Sequence, residues 1–385
     1  MKQNEVNNKG LKIMMGAGGT SGHINPAITI ADYSKAKNEN VEIVFCGLRE
    51  SLEEEIVRRS GYEFKYIRAK VLPNKNRKKL RWILENTSGI RQCIKYIKEI
   101  RPDIVVSTGS YVGSPLVFAG LMMKIPVLLH EQNALPGRSN RLFGHRCQAV
   151  CISFEESRQY FREGTATVLT GNPISPMFFS ATKSGSRDEI SLAQDIFHIV
   201  MMGGSLGSST LNEAVQGLAE SEKWLQLIDT YPNLYLTIST GMRRGSEICK
   251  KLSKVPHINA SEYIFDGALW MASADLFIGR SGATTCSELS ALGKPSILIP
   301  YPYASDNHQY YNALALADIG AAVICDDADF TPEYLHDTIK HFINDKERLA
   351  EMSRQAKTKG LPEATTKIYE TLIKVIENDR KKKAK

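Results

Sequence analysis

The chain has 385 residues, 42% of them hydrophobic and 24% charged, a composition typical of a globular protein long enough for two domains. No run approaches about 20 apolar residues and the N-terminus is predominantly polar, so we expect neither a membrane-spanning helix nor a secretion signal. The net charge is +7, and the seven cysteines are scattered, which favours free thiols in the cytoplasm over a disulfide framework.

The first predicted strand, residues 11–15, leads into the glycine-rich turn GAGGTSGH at residues 16–23 and into a helix that we expect to begin near Pro26. Such a turn directs backbone N–H groups and the helix dipole toward an anion. His23 lies at the entry to this helix, where an imidazole is able to take a proton from a hydroxyl group. A tight turn without a ligand, with a histidine that only packs, is the alternative.

The same turn departs from the fingerprint of nicotinamide-dependent dehydrogenases. That fingerprint needs a glycine where this chain has Ser21, and an acidic residue at the end of the second strand. The second predicted strand, residues 41–46, is followed by Gly47 and Leu48 instead. The sequence therefore disfavours a dehydrogenase.

A strongly basic segment follows. Residues 65–101 contain twelve Lys or Arg and two Glu, a local excess of ten positive charges. Bulky apolar residues such as Val71 and Trp82 are interleaved with these cations, a pattern that suits an anionic lipid surface. A solvated helix whose apolar side packs inward is the alternative. Nucleic acid is less favoured because no nucleic-acid motif accompanies the charge.

Two further predicted strands, residues 104–107 and 127–129, each end in a polar loop. The loop GSYVGSP spans residues 109–115, and HEQN spans residues 130–133. Open parallel sheets bind ligands beyond the carboxyl ends of their strands. The side chains of these loops suit the hydroxyl groups of a polar substrate.

The alternation of strands and helices lapses at residues 173–194, which we expect to link a domain at residues 1–172 to a second at residues 195–362. In the second domain we expect a helix at residues 210–218 and strands at residues 196–202, 234–239, 276–278, 296–299 and 322–324. A final helix, residues 363–379, is expected to join the first domain. Together these elements predict an α/β fold with two Rossmann-like parallel-sheet domains.

Two loops of the second half carry candidate phosphate and ribose chemistry. GGSLG at residues 203–207 precedes a helix and has Ser205 as a hydrogen-bond donor. RSGATTCSE at residues 280–288 begins with a cation, Arg280, and ends with Glu288, a carboxylate able to accept two ribose hydroxyls.

The amides of Gln309 and Asn312 carry both donors and acceptors, as sugar hydroxyls require. No G-x-x-x-x-G-K-[ST] phosphate loop occurs. No acidic triad accompanies the loops expected at the donor, so we expect no protein-held metal.

These loops resemble the MurG family, bacterial N-acetylglucosaminyltransferases of the GT-B fold that make lipid II. The resemblance implies two domains facing a central cleft. It also implies transfer of N-acetylglucosamine from UDP-GlcNAc to the 4-hydroxyl of undecaprenyl-pyrophosphoryl-MurNAc-pentapeptide, with inversion at the anomeric carbon. The matching strings run in family order: GGTSGH at 18–23, TGSYV at 108–112, HEQN at 130–133, GNP at 171–173, GGS at 203–205, RSGAT at 280–284 with Glu288, and HQ at 308–309 with Asn312.

The resemblance implies roles for individual residues. His23 becomes the candidate base, and Arg280 stabilises the departing UDP. Ile264 would meet uracil through its backbone, and Glu288 would meet the ribose. The full set implied for the donor and the transferred sugar is Thr20, Ser21, Gly22, Asn133, Ser175, Ser205, Ile264, Ala283, Thr284, Thr285, Cys286, Ser287, Glu288, Gln309 and Asn312. The set implied for membrane contact is Leu72, Lys78, Lys79, Leu80, Arg81, Trp82 and Ile83.

The implied partners are UDP-GlcNAc as substrate, the lipid I acceptor, an anionic membrane surface and other proteins of cell-wall synthesis, with no nucleic acid and no cofactor. The implied location is peripheral, on the cytoplasmic side of the bacterial inner membrane.

Three positions depart from the family pattern. Ser21 stands where the family has Gly, Leu206 where it has Gln, and Ser175 where it has an arginine expected near the donor phosphate. Losing that arginine removes a charge-assisted contact of about 1.5–3 kcal/mol, so either donor binding is weaker or Arg280 and the helix N-termini compensate. Another GT-B transferase, a UDP-GlcNAc epimerase and an inactive nucleotide-sugar-binding subunit are the alternatives.

Overall fold

The computed structural model describes residues 10–71, 79–204, 206–242 and 245–384, apart from the side chains of Ser21 and of residues 79–82. The chain forms two compact units. Unit 1 comprises Met1–Ile174 with Glu363–Lys385, and unit 2 comprises Ser175–Pro362. Among the helices of the described residues, each falls short of the length or the apolar character that crossing a bilayer requires.

Unit 1 is built on a seven-stranded parallel sheet. Its strands are β1 (Lys12–Gly16), β2 (Glu42–Gly47), β3 (Glu63–Tyr66), β4 (Ile104–Ser107), β5 (Val127–Glu131), β6 (Ala149–Ile152) and β7 (Thr167–Leu169). Its α-helices are α1 (Ser21–Lys37), α2 (Leu52–Arg59), α3 (Lys79–Ile100), α4 (Ser110–Met122), α5 (Arg138–Phe143) and, at the end of the chain, α16 (Ala364–Lys383). The strand order is β3-β2-β1-β4-β5-β6-β7.

Both faces of this sheet are buried, because successive side chains of a strand point to opposite faces. In β1, Ile13 and Met15 belong to a core cluster that includes Ala27 of α1 and Leu372 of α16. Met14, between them, belongs to a second cluster that residues of α3 and α4 complete. The helix α16 is therefore part of the core of unit 1.

Unit 2 is built on a six-stranded parallel sheet. Its strands are β8 (Phe197–Met202), β9 (Leu234–Ser239), β10 (Ile258–Ser261), β11 (Leu276–Gly279), β12 (Ser296–Leu298) and β13 (Ala322–Ile324). Its α-helices are α6 (Met177–Ser180), α7 (Lys183–Glu189), α8 (Ser209–Ala219), α9 (Glu222–Thr230), α10 (Ser246–Leu252), α11 (Gly267–Ser273), α12 (Ala283–Leu292), α13 (His308–Ala317), α14 (Pro332–Asn344) and α15 (Lys346–Thr358). The strand order is β10-β9-β8-β11-β12-β13.

The two sheets share one topology, and the predicted fold class, two Rossmann-like parallel-sheet domains, is confirmed. In each sheet the first strand lies between the second and the fourth, so the order of strand addition reverses there. Ligands of such sheets bind beyond the carboxyl ends of the strands at this switch point. The loops after β1 and β4 in unit 1, and after β8 and β11 in unit 2, are therefore the expected ligand-binding loops.

The segment at residues 173–194, expected to be a linker, belongs mostly to unit 2. It contains the short helices α6 and α7, and Arg187 of α7 is fully buried. The guanidinium of Arg187 donates to the carbonyl oxygen of Ser273 at 3.0 Å and to the carboxylate of Asp275 at 2.7 Å. The expectation was wrong because these partners are distant in sequence, which leaves no local sign of burial.

Helix α1 begins at Ser21, earlier than the start expected near Pro26. Pro26 lies inside the helix, where its missing N–H removes only the hydrogen bond that the carbonyl oxygen of Gly22 would accept.

Four strands, β3, β6, β7 and β10, were not predicted. Three of them are edge strands that bury few side chains, and β6 is apolar but only four residues long.

Candidate active site

In the unit 1 sheet β4 lies between β1 and β5, so the loops that follow these three strands lie side by side at one edge of the sheet. The half-buried His23 lies in the first turn of α1. Its Nδ1 is 2.9 Å from the carbonyl oxygen of Thr108, after β4, and 2.9 Å from Oε1 of Gln132, after β5. Both atoms accept hydrogen bonds, so neutral His23 carries its proton on Nδ1 and keeps a lone pair on Nε2.

Glu131, at the end of β5, is 1% exposed and holds the loop that follows it. Its carboxylate accepts hydrogen bonds from the N–H of Asn133 at 2.9 Å, from the Asn133 amide at 3.1 Å and from the N–H of Gly137 at 2.9 Å. The Asn140 amide donates a fourth, also at 2.9 Å. No pattern in the sequence indicated this role. Glu131 orients Asn133, and its bound oxygens make it a poor proton acceptor for a substrate.

The turn after β1 rests on a buried carboxylate. Glu53 of α2 is 2% exposed, and its carboxylate lies 3.5 Å from the N–H of Gly19. A Cβ on Gly18 would lie 2.8 Å from the Glu53 carboxylate, so this position requires glycine. No feature of the sequence pointed to Glu53, because its carboxylate reaches the turn from a neighbouring helix.

The start of α1 is accessible. Thr20 is the N-cap residue, but its hydroxyl makes no capping hydrogen bond, and the first turn contains no acidic residue. Thr20 and Gly22 are exposed, and the side chain of Ser21 lies outside the described residues. This helix end is therefore open to a polar ligand beside His23.

Arg280 follows β11 and is only 9% exposed. Its guanidinium donates to the carbonyl oxygen of Ile299 at 3.1 Å and to the hydroxyl of Ser208 at 2.7 Å, and it lies 2.5 Å from the carboxylate of Asp327. The ring centre of Tyr301 is 5.6 Å away. Arg280 thus joins the loops after β8, β12 and β13 to its own, and Asp327 balances its charge. These contacts favour a positioning role over direct contact with UDP.

Helix α12 presents an uncapped N-terminus. Its N-cap residue, Gly282, offers no side chain, and no acidic residue lies in the first turn. The N–H groups of the first turn, at Ala283, Thr284 and Thr285, point toward the end of the helix. This arrangement and the helix dipole favour a bound anion.

Two residues of α12, Cys286 and Ser287, were expected to bind the donor, but their side chains have other surroundings. Cys286 is 0% exposed, and burial raises the pKa of its thiol well above the ordinary value. Ser287 donates its hydroxyl to the carbonyl oxygen of Ala283 at 2.9 Å. The thiol of Cys286 cannot touch a ligand, because this face of the helix packs into the core.

Glu288 carries the carboxylate that ends the motif at residues 280–288. Among the described residues, no side chain or backbone amide donates a hydrogen bond to it, and burial raises its pKa to about 7. A partly buried acceptor with vacant lone pairs is suited to hydroxyl donors from a ligand.

Gln309 and Asn312, both on α13, differ in access. The Oε1 of Gln309 accepts the N–H of Tyr301 at 2.9 Å, which orients the half-buried amide. Asn312 is 0% exposed and donates to the carbonyl oxygen of Ser281 at 3.1 Å. Gln309 is therefore accessible for sugar hydroxyls, whereas Asn312 holds the loop after β11.

The remaining predicted donor residues are dispersed. Ile264 follows β10, and in the described part of the chain its backbone N–H and carbonyl have no hydrogen-bond partner. Ser175 is exposed, and its hydroxyl accepts the N–H of Met177, the first residue of α6, at 3.3 Å. Ser205 lies outside the described residues.

The residues expected at a membrane are only partly described. Ile83 is 50% exposed and its neighbour Leu84 is 62% exposed. Lys79, Leu80, Arg81 and Trp82 begin α3, but their side chains are not described, and Leu72 and Lys78 lie outside the described residues.

One group of described side chains comes close enough to share a cation: Glu333, His336 and Asp337, near the start of α14. None of the residues expected to bind substrate belongs to it.

Comparison with known proteins defines the class. Residues 13–152 match the glycosyltransferase family 28 N-terminal domain, and residues 198–368 match the family 28 C-terminal domain. Two units of Rossmann topology with these domain matches define a glycosyltransferase of the GT-B fold.

The particular family follows from the relatives. The chain is 38% identical over 371 residues (96% of this chain, 99% of the relative) to the UDP-N-acetylglucosamine–N-acetylmuramyl-(pentapeptide) pyrophosphoryl-undecaprenol N-acetylglucosamine transferase of Acetivibrio thermocellus. The crystal structure of Acinetobacter baumannii MurG superposes with a TM-score of 0.75 at 26% identity, covering 96% of this chain and 99% of that one. The chain belongs to the MurG family. A UDP-GlcNAc 2-epimerase of Neisseria meningitidis, with a TM-score of 0.65 at 16% identity (94% of this chain, 100% of that one), shares the fold alone.

Proposed function

We propose that this protein transfers N-acetylglucosamine from UDP-N-acetylglucosamine to the 4-hydroxyl of undecaprenyl-pyrophosphoryl-MurNAc-pentapeptide (lipid I), forming lipid II for peptidoglycan. Relatives with this transferase name align over nearly the whole chain. The observation that carries the chemistry is the geometry of His23. Two oxygen atoms accept the hydrogen on its Nδ1, so its Nε2 is the atom available to accept a proton.

Unit 2 supplies groups that suit the donor. We assign the ribose hydroxyls to Glu288 because its carboxylate has vacant lone pairs and no partner among the described residues. The diphosphate is assigned to the uncapped first turn of α12. Uracil is assigned to the backbone of Ile264, and the sugar hydroxyls to the amide of Gln309.

The proposed reaction is a single displacement with inversion. The 4-oxygen of the acceptor forms a bond to the anomeric carbon while its proton passes to Nε2 of His23. The bond from the anomeric carbon to the diphosphate oxygen breaks, and UDP leaves with the bonding electron pair. The first turn of α12 stabilises the negative charge that develops on the departing diphosphate. His23 then releases its proton to solvent.

The test is incubation of the full chain with labelled UDP-N-acetylglucosamine and a lipid I analogue. We expect label in a β-1,4-linked disaccharide product and equimolar UDP. Label that moves only to free N-acetylmannosamine would identify an epimerase and overturn the proposal. Tight UDP binding without any turnover of a lipid I analogue would identify a nucleotide-sugar-binding subunit and overturn it equally.

We further propose that unit 1 binds the cytoplasmic face of the bacterial inner membrane peripherally. Apolar side chains are exposed beside basic ones: Phe118 is 37% and Met122 58% exposed. The same two residues line a cavity of about 730 Å³ together with Lys124, Arg146 and Lys382. The lining also contains one carboxylate, Asp379, so the three cations leave a positive excess. Apolar side chains beside such an excess suit anionic headgroups and the acyl chains beneath them.

Membrane binding has its own test. Flotation of the protein with vesicles should recover it in the vesicle fraction when anionic lipid is included and not with neutral lipid alone. Equal recovery with both compositions would contradict a role for the cations.

A further inference from the structure

Two buried polar residues, Gln132 and His130, are linked to His23 by hydrogen bonds. His130 is 0% exposed and Gln132 is 2% exposed. The proposed reaction assigns neither a role, although buried polar groups need specific partners. The partners of His130 also involve Gly171, which begins the GNP motif that the proposed function leaves unused.

The carbonyl oxygen of Gly171 shows which ring nitrogen of His130 carries a proton. Nε2 of His130 lies 3.1 Å from the carbonyl oxygen of Gly171, an atom that only accepts hydrogen bonds, so Nε2 carries a proton. Burial lowers the pKa of His130 to about 4, which keeps the ring neutral near pH 7. A neutral ring protonated on Nε2 has an acceptor at Nδ1.

This acceptor sets the orientation of the Gln132 amide. The amide nitrogen of Gln132 lies 2.8 Å from Nδ1 of His130 and 3.3 Å from its carbonyl oxygen, both of which accept. The amide oxygen is therefore left to face Nδ1 of His23 at 2.9 Å. The reversed amide would place a lone pair against a lone pair at His130, and N–H against N–H at His23.

We propose that Gln132 and His130 are positioning residues that act with the carbonyl oxygen of Thr108 to hold the proton of His23 on Nδ1, and so keep its Nε2 available for the acceptor hydroxyl. The hydrogen bonds run in one direction, from His23 to Gln132, from Gln132 to His130 and from His130 to the carbonyl oxygen of Gly171. The inference rests on the proposed function and deepens it, because it explains which nitrogen of His23 acts.

Substitutions at Gln132 separate hydrogen bonding from packing. Gln132→Met keeps the length of the side chain and removes the acceptor, so we expect kcat to fall about 10–100-fold while KM for UDP-GlcNAc changes less than about twofold. Gln132→Glu retains an oxygen toward His23, but its second oxygen faces Nδ1 and the carbonyl oxygen of His130, which both accept, so it should recover only part of kcat. If the methionine variant unfolds, the activity of Gln132→Glu still tests the proposal.

Substitutions at His130 test the far end of the same chain of bonds. His130→Asn places an oxygen where Nδ1 was, so Gln132 keeps its acceptor. His130→Gln offers a donor to Gly171 but no acceptor to Gln132. We expect His130→Asn to retain at least about tenfold more activity than His130→Gln.

The tautomer itself is measurable without turnover. In protein with ¹⁵N-labelled histidine, two-bond ¹H–¹⁵N correlations should show His23 protonated on Nδ1, and His23→Ala assigns the signals. We expect Gln132→Met to raise the fraction of His23 protonated on Nε2, because only the carbonyl oxygen of Thr108 is then left to hold the proton on Nδ1. UDP binding, measured by calorimetry, should be equal in all variants, and far-ultraviolet circular dichroism, to which the helices of both units contribute, serves as the folding control.

Two results would overturn the proposal: wild-type His23 protonated on Nε2, or full kcat in Gln132→Met. An absence of transfer by the wild-type protein would instead count against the proposed function, and the tautomer measurement would still decide the chain of hydrogen bonds.

Discussion

His23 presents one nitrogen to substrate because two oxygen atoms engage the other. We expect His23→Ala to lower turnover at least ~100-fold, the lower range for general acid–base catalysis. UDP affinity should change little because the donor is assigned to unit 2. Steady-state transfer assays and calorimetry measure the two quantities. His341→Ala, at an exposed position on α14, is the matched control. Unchanged turnover in His23→Ala would remove His23 from the role of base.

We expect the affinity for the UDP donor to depend on pH, because the carboxylate of Glu288 has a raised pKa. Burial raises its pKa to about 7, so the ionised form that accepts two hydroxyl donors predominates only above that pH. One pH unit below a pKa, about nine-tenths of a group is protonated, so we expect UDP to bind about tenfold more weakly at pH 6 than at pH 8. Calorimetric titrations across this range measure the effect, and a flat profile would contradict the assignment.

The same residue predicts opposite effects on stability and on binding. The pKa of Glu288 rises from its ordinary value of 4.5 to about 7 in the fold, so its ionisation destabilises the protein progressively between these values. Glu288→Gln should therefore stabilise the ligand-free protein by about 1–3 kcal/mol at pH 8 and by nothing below about pH 4.5. UDP affinity should fall at least ~10-fold. Urea unfolding at both pH values, with and without UDP, checks this combination.

Single residues were predictable where the chemistry is local. The position of His23 after a glycine-rich turn, and of Glu288 at the end of the motif at residues 280–288, indicated candidate chemistry, and both roles stay proposals. Cys286 lies in the same motif as Glu288, but its burial depends on which face of α12 meets the sheet. The roles of Arg280 and Glu53 depend on partners from other elements, which a one-dimensional pattern does not contain.

At the scale of elements, α7 is attached to the unit 2 sheet by a buried ion pair. Arg187 has no exposed surface and pairs with Asp275, whose carboxylate also accepts the N–H of His198 at 2.8 Å. We expect Arg187→Met to destabilise the protein by about 3–5 kcal/mol because it leaves Asp275 without its buried partner. Thermal and urea unfolding with UDP as a reporter of unit 2 measure this.

Lys183 provides the control for that prediction. It contacts the same carboxylate of Asp275 but is 46% exposed, so its contribution is screened by water. Lys183→Met should cost at most about 1 kcal/mol. Equal losses in the two variants would show that burial does not decide the strength of this cluster.

The central strands of both sheets were predictable from their apolar runs, because strands covered on both faces are almost wholly apolar. The edge strand β3 alternates charged and aromatic residues, and β10 has a single fully buried residue, so neither produces such a run. The two short helices of residues 173–194 were missed for a related reason, since Ser273 and Asp275, two of the partners that bury Arg187, are distant in sequence.

At the scale of the whole molecule, membrane binding is expected to come from unit 1. Phe118 and Met122 are exposed on α4, and the cavity they line includes Lys124 and Arg146. The double variant Phe118→Ser and Met122→Ser should lower the affinity for anionic vesicles at least about 100-fold, because each apolar side chain contributes about 1.5–3 kcal/mol when fully inserted. Leu225→Ser, at a 52% exposed position in unit 2, is the control. A loss in the control as large as in the double variant would contradict the assignment to unit 1.

The chain returns to unit 1 only at its last helix. Ile368, Leu372 and Ile376 of α16 complete the core over α1, and Arg380 donates to the carboxylate of Asp103 at 2.7 Å. During synthesis on the ribosome, the first unit to emerge is therefore the last to be finished, because this apolar face stays uncovered while all of unit 2 is translated. All six strands of unit 2 are translated before α16, so unit 2 is free to complete its core before unit 1 does.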